Sequence, residues 1–292
     1  LIKAVFGLIL MLGLARFLDY GHWVWLGRIT FFVGVVLTIA ALVSGHGVKG
    51  ANRWILGIQP SEIMKLGMLI CICGKFSQAG DNIKSVACTI IQPGIFFGIT
   101  AFLLIMQPNY SMLMMLSMVV ICVMLTAGVN YKYLAIAIGA AIPPGIIMLL
   151  MTGHSSKRIQ AFTAAEGEMV ASNWQGEHAL LALGNGGFSG TGFGMGVQKL
   201  GYLPEVHKDV IYAVAGEEFG FLGTFFLLAL YAVLFAQGFS IARQSSTRFG
   251  KYLAVALTFS LFFNFLVHVC VCVGLFPTTG QPLPFISFGG TN

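Results

Sequence analysis

Charge is what this sequence has least of. Only 9% of its 292 residues are charged and 57% are hydrophobic, whereas an ordinary soluble domain carries charge on about a quarter of its residues. That balance excludes water as the main solvent and leaves lipid. Acidic residues are scarcest, 10 Asp and Glu against 16 Lys and Arg, for a net charge of +6. In a soluble protein such an excess would suggest nucleic acid. Here the basic residues sit mainly at the ends of apolar segments, where they anchor topology instead. Metal-type cysteine patterns are absent too. Cys71 and Cys73, like Cys270 and Cys272, stand one residue apart in apolar runs without histidine or carboxylate neighbours, which argues against zinc and for small buried hydrophobes. The sequence holds neither a dinucleotide fingerprint nor a Walker phosphate loop. The segment opened by Leu1 has no basic leader and no cleavage site, so it does not read as a signal peptide. Both ends, at Leu1 and at Asn292, read as trimmed.

What the sequence has in quantity is apolar length. A helix crossing bilayer hydrocarbon needs roughly 20 mostly apolar residues. Stretches at 1–14, 25–44, 63–76, 88–106, 110–128, 133–152, 210–237 and 252–275 follow one another with short polar punctuation. They predict an all-α polytopic transmembrane bundle of about eight spans, a single integral membrane domain over residues 1–292. The 63–76 stretch is expected to start a turn earlier, at Pro60, because proline suits the first helical position. Pro143, Pro144 and Gly145 predict a kink in the 133–152 span. Arg16 and Arg28, Lys75 and Lys84, Lys132, and then Arg243, Arg248 and Lys251 fall on alternate connections, so that side is expected in the cytoplasm. The other side holds Lys49 and Arg53 near one turn.

By the same count residues 153–208 form a large extracytoplasmic loop, too long for a routine connection. The loop has an amphipathic start at 158–162, a polar middle, and the run GNGGFSGTGFGMG at 184–196. Such glycine density suits either a tightly turning loop or a close approach of backbone to a ligand or helix.

An ionisable side chain within a span costs about 2.5 to 3.5 kcal/mol at the bilayer centre, so each needs a partner or a purpose. Glu62 and Lys65 are spaced to share a helical face. They can form a structural ion pair, or Lys65 and the nearby Arg53 can face a polar cavity and hold a pyrophosphate. Asp209 stands where the outer loop enters an apolar helix. It reads either as an N-terminal capping carboxylate or, since the helix dipole and Lys208 favour its charged form, as a proton acceptor or metal ligand. Glu217 and Glu218 lie about 12 to 14 Å further along that helix, beyond the roughly 5 to 9.5 Å of a glycosidase carboxylate pair. Glu217 is therefore expected to fix neighbouring helices, and His268, alone on an apolar helix, to be a hydrogen-bonded packing residue.

Several strings then occur in a telling order: GANRWI at 50–55, QPSE at 59–62 with Lys65 a turn later, QPN at 107–109, WQ at 174–175, GFSGTGFGMGVQKLGYLPEVHKDVIYAVAGEEFG at 187–220, and GLFPTTGQPLPFISFGG at 274–290. Spread over nearly the whole chain, they resemble the motifs of the SEDS family (shape, elongation, division and sporulation). The resemblance implies spans two to nine of a ten-span fold in the bacterial cytoplasmic membrane, with the large loop outside. It implies a peptidoglycan glycosyltransferase that builds glycan strands from lipid II, an undecaprenyl-pyrophosphate-linked disaccharide peptide.

Asp209 matches the aspartate of the family's HTDF motif, the implied general base. Arg53, Lys65 and Arg158 would hold the pyrophosphate, aided by a divalent cation, magnesium or manganese. Gln175 and His207 are implied to bind substrate, with Glu62, Gln107, Glu217, Pro284 and Ser287 in support. A class B penicillin-binding protein, the crosslinking transpeptidase, is the implied partner, alongside other divisome or elongasome membrane proteins.

The sequence departs from the pattern at two places. HTDF reads HKDV, and Asn109 replaces the usual aspartate of QPD, which removes a charge there. The string PTTGQPLPFIS is closer to the division branch than to the elongation branch. The rival functions are a lipid II flippase, which a kinked helix and intramembrane charges also suit, and a non-catalytic division scaffold.

Overall fold

Peptide groups in hydrocarbon must be satisfied within the chain, and helices do this locally. The computed structural model describes residues 20–44, 54, 55, 58–139, 174–198 and 209–287, with isolated positions before residue 20. Helix α1 is Tyr20–Ser44 and α2 is Pro60–Ala79. A 3-10 turn, Gly80–Lys84, and a π turn, Ala87–Ile91, lead into α3, Gln92–Met106. Next come α4, Tyr110–Ala127, a helical stretch at 131–139, and α5, Trp174–Gly186. Helices α6, Ile211–Gln244, and α7, Arg248–Cys272, complete the series. Five of these segments are long and apolar enough to cross a membrane: α1, α3 with its π turn, α4, α6 and α7. The multi-pass helical membrane fold expected from hydropathy is therefore present.

Helix α2 carries Glu62, Lys65 and Lys75 and is correspondingly the enclosed one. It packs against α1, α3, α4 and α7, and Met64, Met68, Ile72 and Phe76 are almost wholly buried in the larger of two cores. It begins at Pro60, as expected, with the proline in the first turn. Helix α6 instead outruns its expected end at 237. Arg243 joins its last turn rather than a connection, where a cation meets the negative end of the helix dipole. Helix α5, within the polar middle of the long segment, was not foreseen. Of the 1–14 span only Gly7, Ile9, Met11, Leu12 and Gly13 are described, all helical, while the kink at Pro143 and Pro144 and the amphipathic stretch at 158–162 lie outside the described residues.

The polarity of the bundle agrees with the charge count. Arg28 and Lys75 line one cleft with Gln78. A Cβ built on Gly80 would come 3.8 Å from Arg248 Nη1, so the C-terminal end of α2 and the start of α7 lie together. Asp209 and Gly280 mark the opposite end.

Helices α1 and α2 touch backbone to backbone. A Cβ on Gly34 would sit 2.5 Å from Met64 Cα, and one on Gly67 would sit 2.4 Å from the Phe31 nitrogen. Small residues admit this approach where lipid gives helices little hydrophobic reason to associate. Gly34→Leu or Gly67→Val is therefore expected to destabilise the purified protein by about 3 kcal/mol. Gly98→Ala, where a Cβ meets nothing within 4 Å, should leave the thermal unfolding midpoint in detergent unchanged.

Candidate active site

The second core is formed by Ala179 and Ala182 of α5, Val210, Tyr212, Ala213 and Val214 at the start of α6, Phe265 and Cys272 of α7, and Leu283 beyond it. It is the platform from which Asp209 projects. What holds that platform is a break in α6. At Gly220 the backbone turns to φ 65°, ψ −163°, which deprives Phe221 and Leu222 of their usual acceptors, the carbonyls of Glu217 and Glu218 four residues back.

The glycine-rich segment replaces both bonds with four. Phe221 N–H donates to the Gly187 carbonyl at 2.9 Å and Leu222 N–H to that of Phe188 at 3.2 Å. The Glu217 carbonyl accepts from Thr191 N–H at 2.9 Å, and that of Glu218 accepts from Gly192 N–H at 3.1 Å. The Thr191 hydroxyl adds a bond to the Glu217 carbonyl at 3.0 Å. Of the two readings of the glycine run, close backbone approach to a helix is thus the observed one.

The Glu217 side chain, wholly buried, completes the clasp. Its Oε1 accepts from Val197 N–H at 3.0 Å, and its Oε2 from Gln198 N–H at 3.2 Å. Charge-assisted bonds to backbone amides compensate a carboxylate that could not otherwise be buried. A Cβ on Gly196 would stand 2.8 Å from that Oε2, so glycine is needed there for space. Gln198 also reaches back to α5, its Oε1 lying 2.7 Å from Nδ1 of His178. Glu217 was expected to fix neighbouring helices; its side chain instead holds the loop, through the Val197 and Gln198 amides.

Asp209 stands one residue before the cap position of α6, which Val210 occupies. Val210 is buried and Asp209 partly exposed, an arrangement that anchors the backbone and leaves the carboxylate at the rim. The segment after α7 lies against it. Gly280 has φ 67°, and a Cβ built on it would come 3.6 Å from Asp209 Oδ2. Cys272, at the end of α7, lies beside the Tyr212 and Ala213 backbone and feels the Asp209 charge.

The segment past α7 is tied down at several points. The Tyr231 hydroxyl donates to the Pro284 carbonyl, and Tyr231 stacks on Phe265 with ring centroids 4.2 Å apart. Ser287 Oγ accepts from Leu283 N–H at 2.8 Å, and Leu283 is buried in the second core. Pro284 and Ser287 thus anchor the segment that reaches Asp209.

Other expected site residues fall elsewhere. Glu62 and Lys65 form an ion pair, and Lys65 also lines a narrow cleft with Met112, Met115, Leu116, Ser260 and Asn264. On α7, Ser260 and Asn264 lie about 12 to 18 Å before Cys272, so Lys65 and Asp209 occupy different levels of the bundle. Gln107 and Asn109 are both buried in the turn between α3 and α4, where Asn109 Nδ2 lies 3.5 Å from Met112 Sδ. Gln175 is in the first turn of α5, which packs on α6 and α7. Arg53, Arg158 and His207 lie outside the described residues.

The whole chain, residues 1–292, matches the family described as cell cycle protein that groups FtsW, RodA and SpoVE. Among curated proteins it is 32% identical over 281 residues to a probable peptidoglycan glycosyltransferase FtsW of Trichlorobacter lovleyi, covering 94% of this chain and 74% of that one. It is 32% identical over 272 residues to the FtsW of Thiomicrospira cyclica, covering 90% and 69%. Solved structures share the fold. A chain from a peptidoglycan synthase complex, described as coordinating polymerization and crosslinking, superposes with a TM-score of 0.78 at 23% identity, covering 99% of this chain and 82% of that one. Thermus thermophilus RodA gives 0.68 at 23% identity, covering 97% and 78%. On the match along its full length and the identity to curated relatives, this chain belongs to the FtsW, RodA and SpoVE family, the SEDS proteins, and resembles FtsW.

Proposed function

We propose that this protein is a peptidoglycan glycosyltransferase that polymerises lipid II at the outer face of the bacterial inner membrane during division, with Asp209 as its general base. The observation that carries the reading is the position of Asp209. It is a partly exposed carboxylate at the rim opposite the basic end of the bundle, against the segment at Gly280. The family's curated members named as peptidoglycan glycosyltransferases support the activity.

In this reading Asp209 takes the proton from an acceptor sugar hydroxyl. That oxygen bonds to the donor's anomeric carbon, and the bond to undecaprenyl pyrophosphate breaks. Asp209 lies beside the start of α6, the end of the helix that carries partial positive charge. Charge on the departing pyrophosphate falls to Arg53, Lys65 and Arg158, with Gln175 and His207 placing the sugars. Lys65 would have to exchange Glu62 for phosphate in that role, at the level of its cleft.

Among the described residues no three His, Cys, Asp or Glu side chains gather as a ligand set. A divalent cation would thus be held by Asp209, water and phosphate oxygens, the mode magnesium adopts with phosphorylated substrates. When bound it would offset pyrophosphate charge. A class B penicillin-binding protein is the proposed partner, and the solved complex that couples polymerization to crosslinking supports this choice.

The test is glycan-strand formation from lipid II by the full-length protein reconstituted with its transpeptidase. Asp209→Ala and Asp209→Asn should each lower the rate about 10²- to 10⁴-fold, the range for loss of a general base. Absence of polymer from wild type, with lipid II still crossing vesicle bilayers, would convert the reading to a flippase. Wild-type polymerisation by Asp209→Ala would remove the base.

A second prediction concerns the loop wall of the site. Glu217→Ala leaves the Val197 and Gln198 amides without their carboxylate, at a cost of about 1–3 kcal/mol. Hydrogen exchange at 187–198 should accelerate accordingly, while exchange in α1 and α2 stays unchanged.

A further inference from the structure

His268 is a buried titratable group that the proposed chemistry does not use. It is 1% exposed in α7, and its Nδ1 lies 2.9 Å from the Gln281 carbonyl oxygen. A carbonyl cannot donate, so Nδ1 carries the proton. The other ring nitrogen, Nε2, is buried with no hydrogen-bond partner. Such an atom gives up the hydrogen bond it would make in water and gains none in return, a loss that a phenylalanine of similar volume would avoid. Packing alone therefore does not account for an imidazole here, and its one bond has to.

That bond ends one residue from the Gly280 turn that faces Asp209. The other ties on this segment, Tyr231 to Pro284 and Leu283 to Ser287, lie further along. Gly280 takes a positive φ, which glycine adopts about as readily as a negative one, so local sterics do not fix the backbone there and a tertiary bond can. We propose that His268 is a positioning residue: by donating Nδ1–H to the Gln281 carbonyl it holds the Gly280–Gln281 turn against the Asp209 carboxylate and so sets the shape of the acceptor-sugar site. This inference rests on Asp209 being the general base. His268 is buried and hydrogen-bonded, as expected, and the proposal gives that bond a task.

The experiment uses full-length protein reconstituted with its transpeptidase, comparing wild type, His268→Leu, His268→Asn, His268→Gln and Asp209→Ala. Glycan-strand formation is read as kcat and KM, alongside the thermal unfolding midpoint. Asparagine presents an amide N–H near the place of Nδ1, and glutamine near that of Nε2.

The expected result is a kcat lowered about 10- to 100-fold in His268→Leu, the scale of a displaced reacting geometry, with KM and midpoint little changed. His268→Asn should recover to within about threefold of wild type, and His268→Gln should not. Equal activities of the asparagine and glutamine variants would overturn the proposal, as would wild-type kcat in His268→Leu beside an inactive Asp209→Ala. If His268→Leu does not fold, the asparagine and glutamine pair decides alone. An active Asp209→Ala would instead overturn the underlying assignment of the base, which keeps the two failures distinct.

Discussion

The half of this molecule that carries Asp209 depends on one exchange of hydrogen bonds. A spanning helix cannot break without stranding peptide groups, and hydrocarbon offers them no water. Helix α6 breaks at Gly220, and the glycine-rich segment supplies two carbonyls to Phe221 and Leu222 and two amides to Glu217 and Glu218. The break and the loop are therefore one unit. The loop has no regular ladder of its own, and the helix would be under-satisfied without it. Glycine is required for the approach itself: a Cβ on Gly190 would fall 2.1 Å from the Glu218 carbonyl oxygen, and one on Gly186 would fall 1.9 Å from that of Gly216. Through Gly186 the same contact fixes α5, and through α5 the platform beneath Asp209.

Helix α7 acts as a ruler between the parts. Its start meets the end of α2 near Arg248, its middle presents Ser260 and Asn264 to the Lys65 cleft, and its end carries His268 and Cys272 toward the Asp209 rim. Both cores include residues of this helix. A shift of α7 along its axis would change all three levels together, so its many aromatic contacts, such as Phe235 with Phe262 and Phe239 with Phe259, help keep the rim in register with the interior.

Much of the bundle was legible because hydropathy and capping are local. Pro60 announced the start of α2, and the spacing of Glu62 and Lys65 announced their ion pair. The expectation that Glu217 and Glu218 are too far from Asp209 to form a dyad needed only the helical rise. The break at Gly220 was not legible, since glycine is also tolerated in membrane helices, and its consequence depends on a partner segment some thirty residues earlier in the chain. Helix α5 was missed although Glu177 to Leu183 are mostly good helix formers, because it is only 13 residues long and Gly176, Gly184 and Gly186 interrupt the pattern at both ends; contacts with α6 and α7 stabilise it. The His268 to Gln281 bond is likewise tertiary, and nothing on an apolar helix foretells which carbonyl will come within reach.

The placement of charge also bears on the choice between polymerase and flippase. A translocation path needs ionisable groups available along its depth. In the described interior, Glu62 and Lys65 neutralise each other, and Glu217 is consumed by two backbone amides. Each of these charges is paired within the fold, and freeing it costs a partner as well as desolvation; the proposed role of Lys65 meets that cost once, with phosphate replacing Glu62, whereas a moving headgroup would meet it along the whole path. Asp209 differs in setting. It lies at the rim, next to a turn whose glycine leaves room beside the carboxylate, and there a proton can be accepted without a charge being carried into the bilayer. The base that the proposed polymerisation needs is thus supplied at the rim rather than along the depth of the bundle.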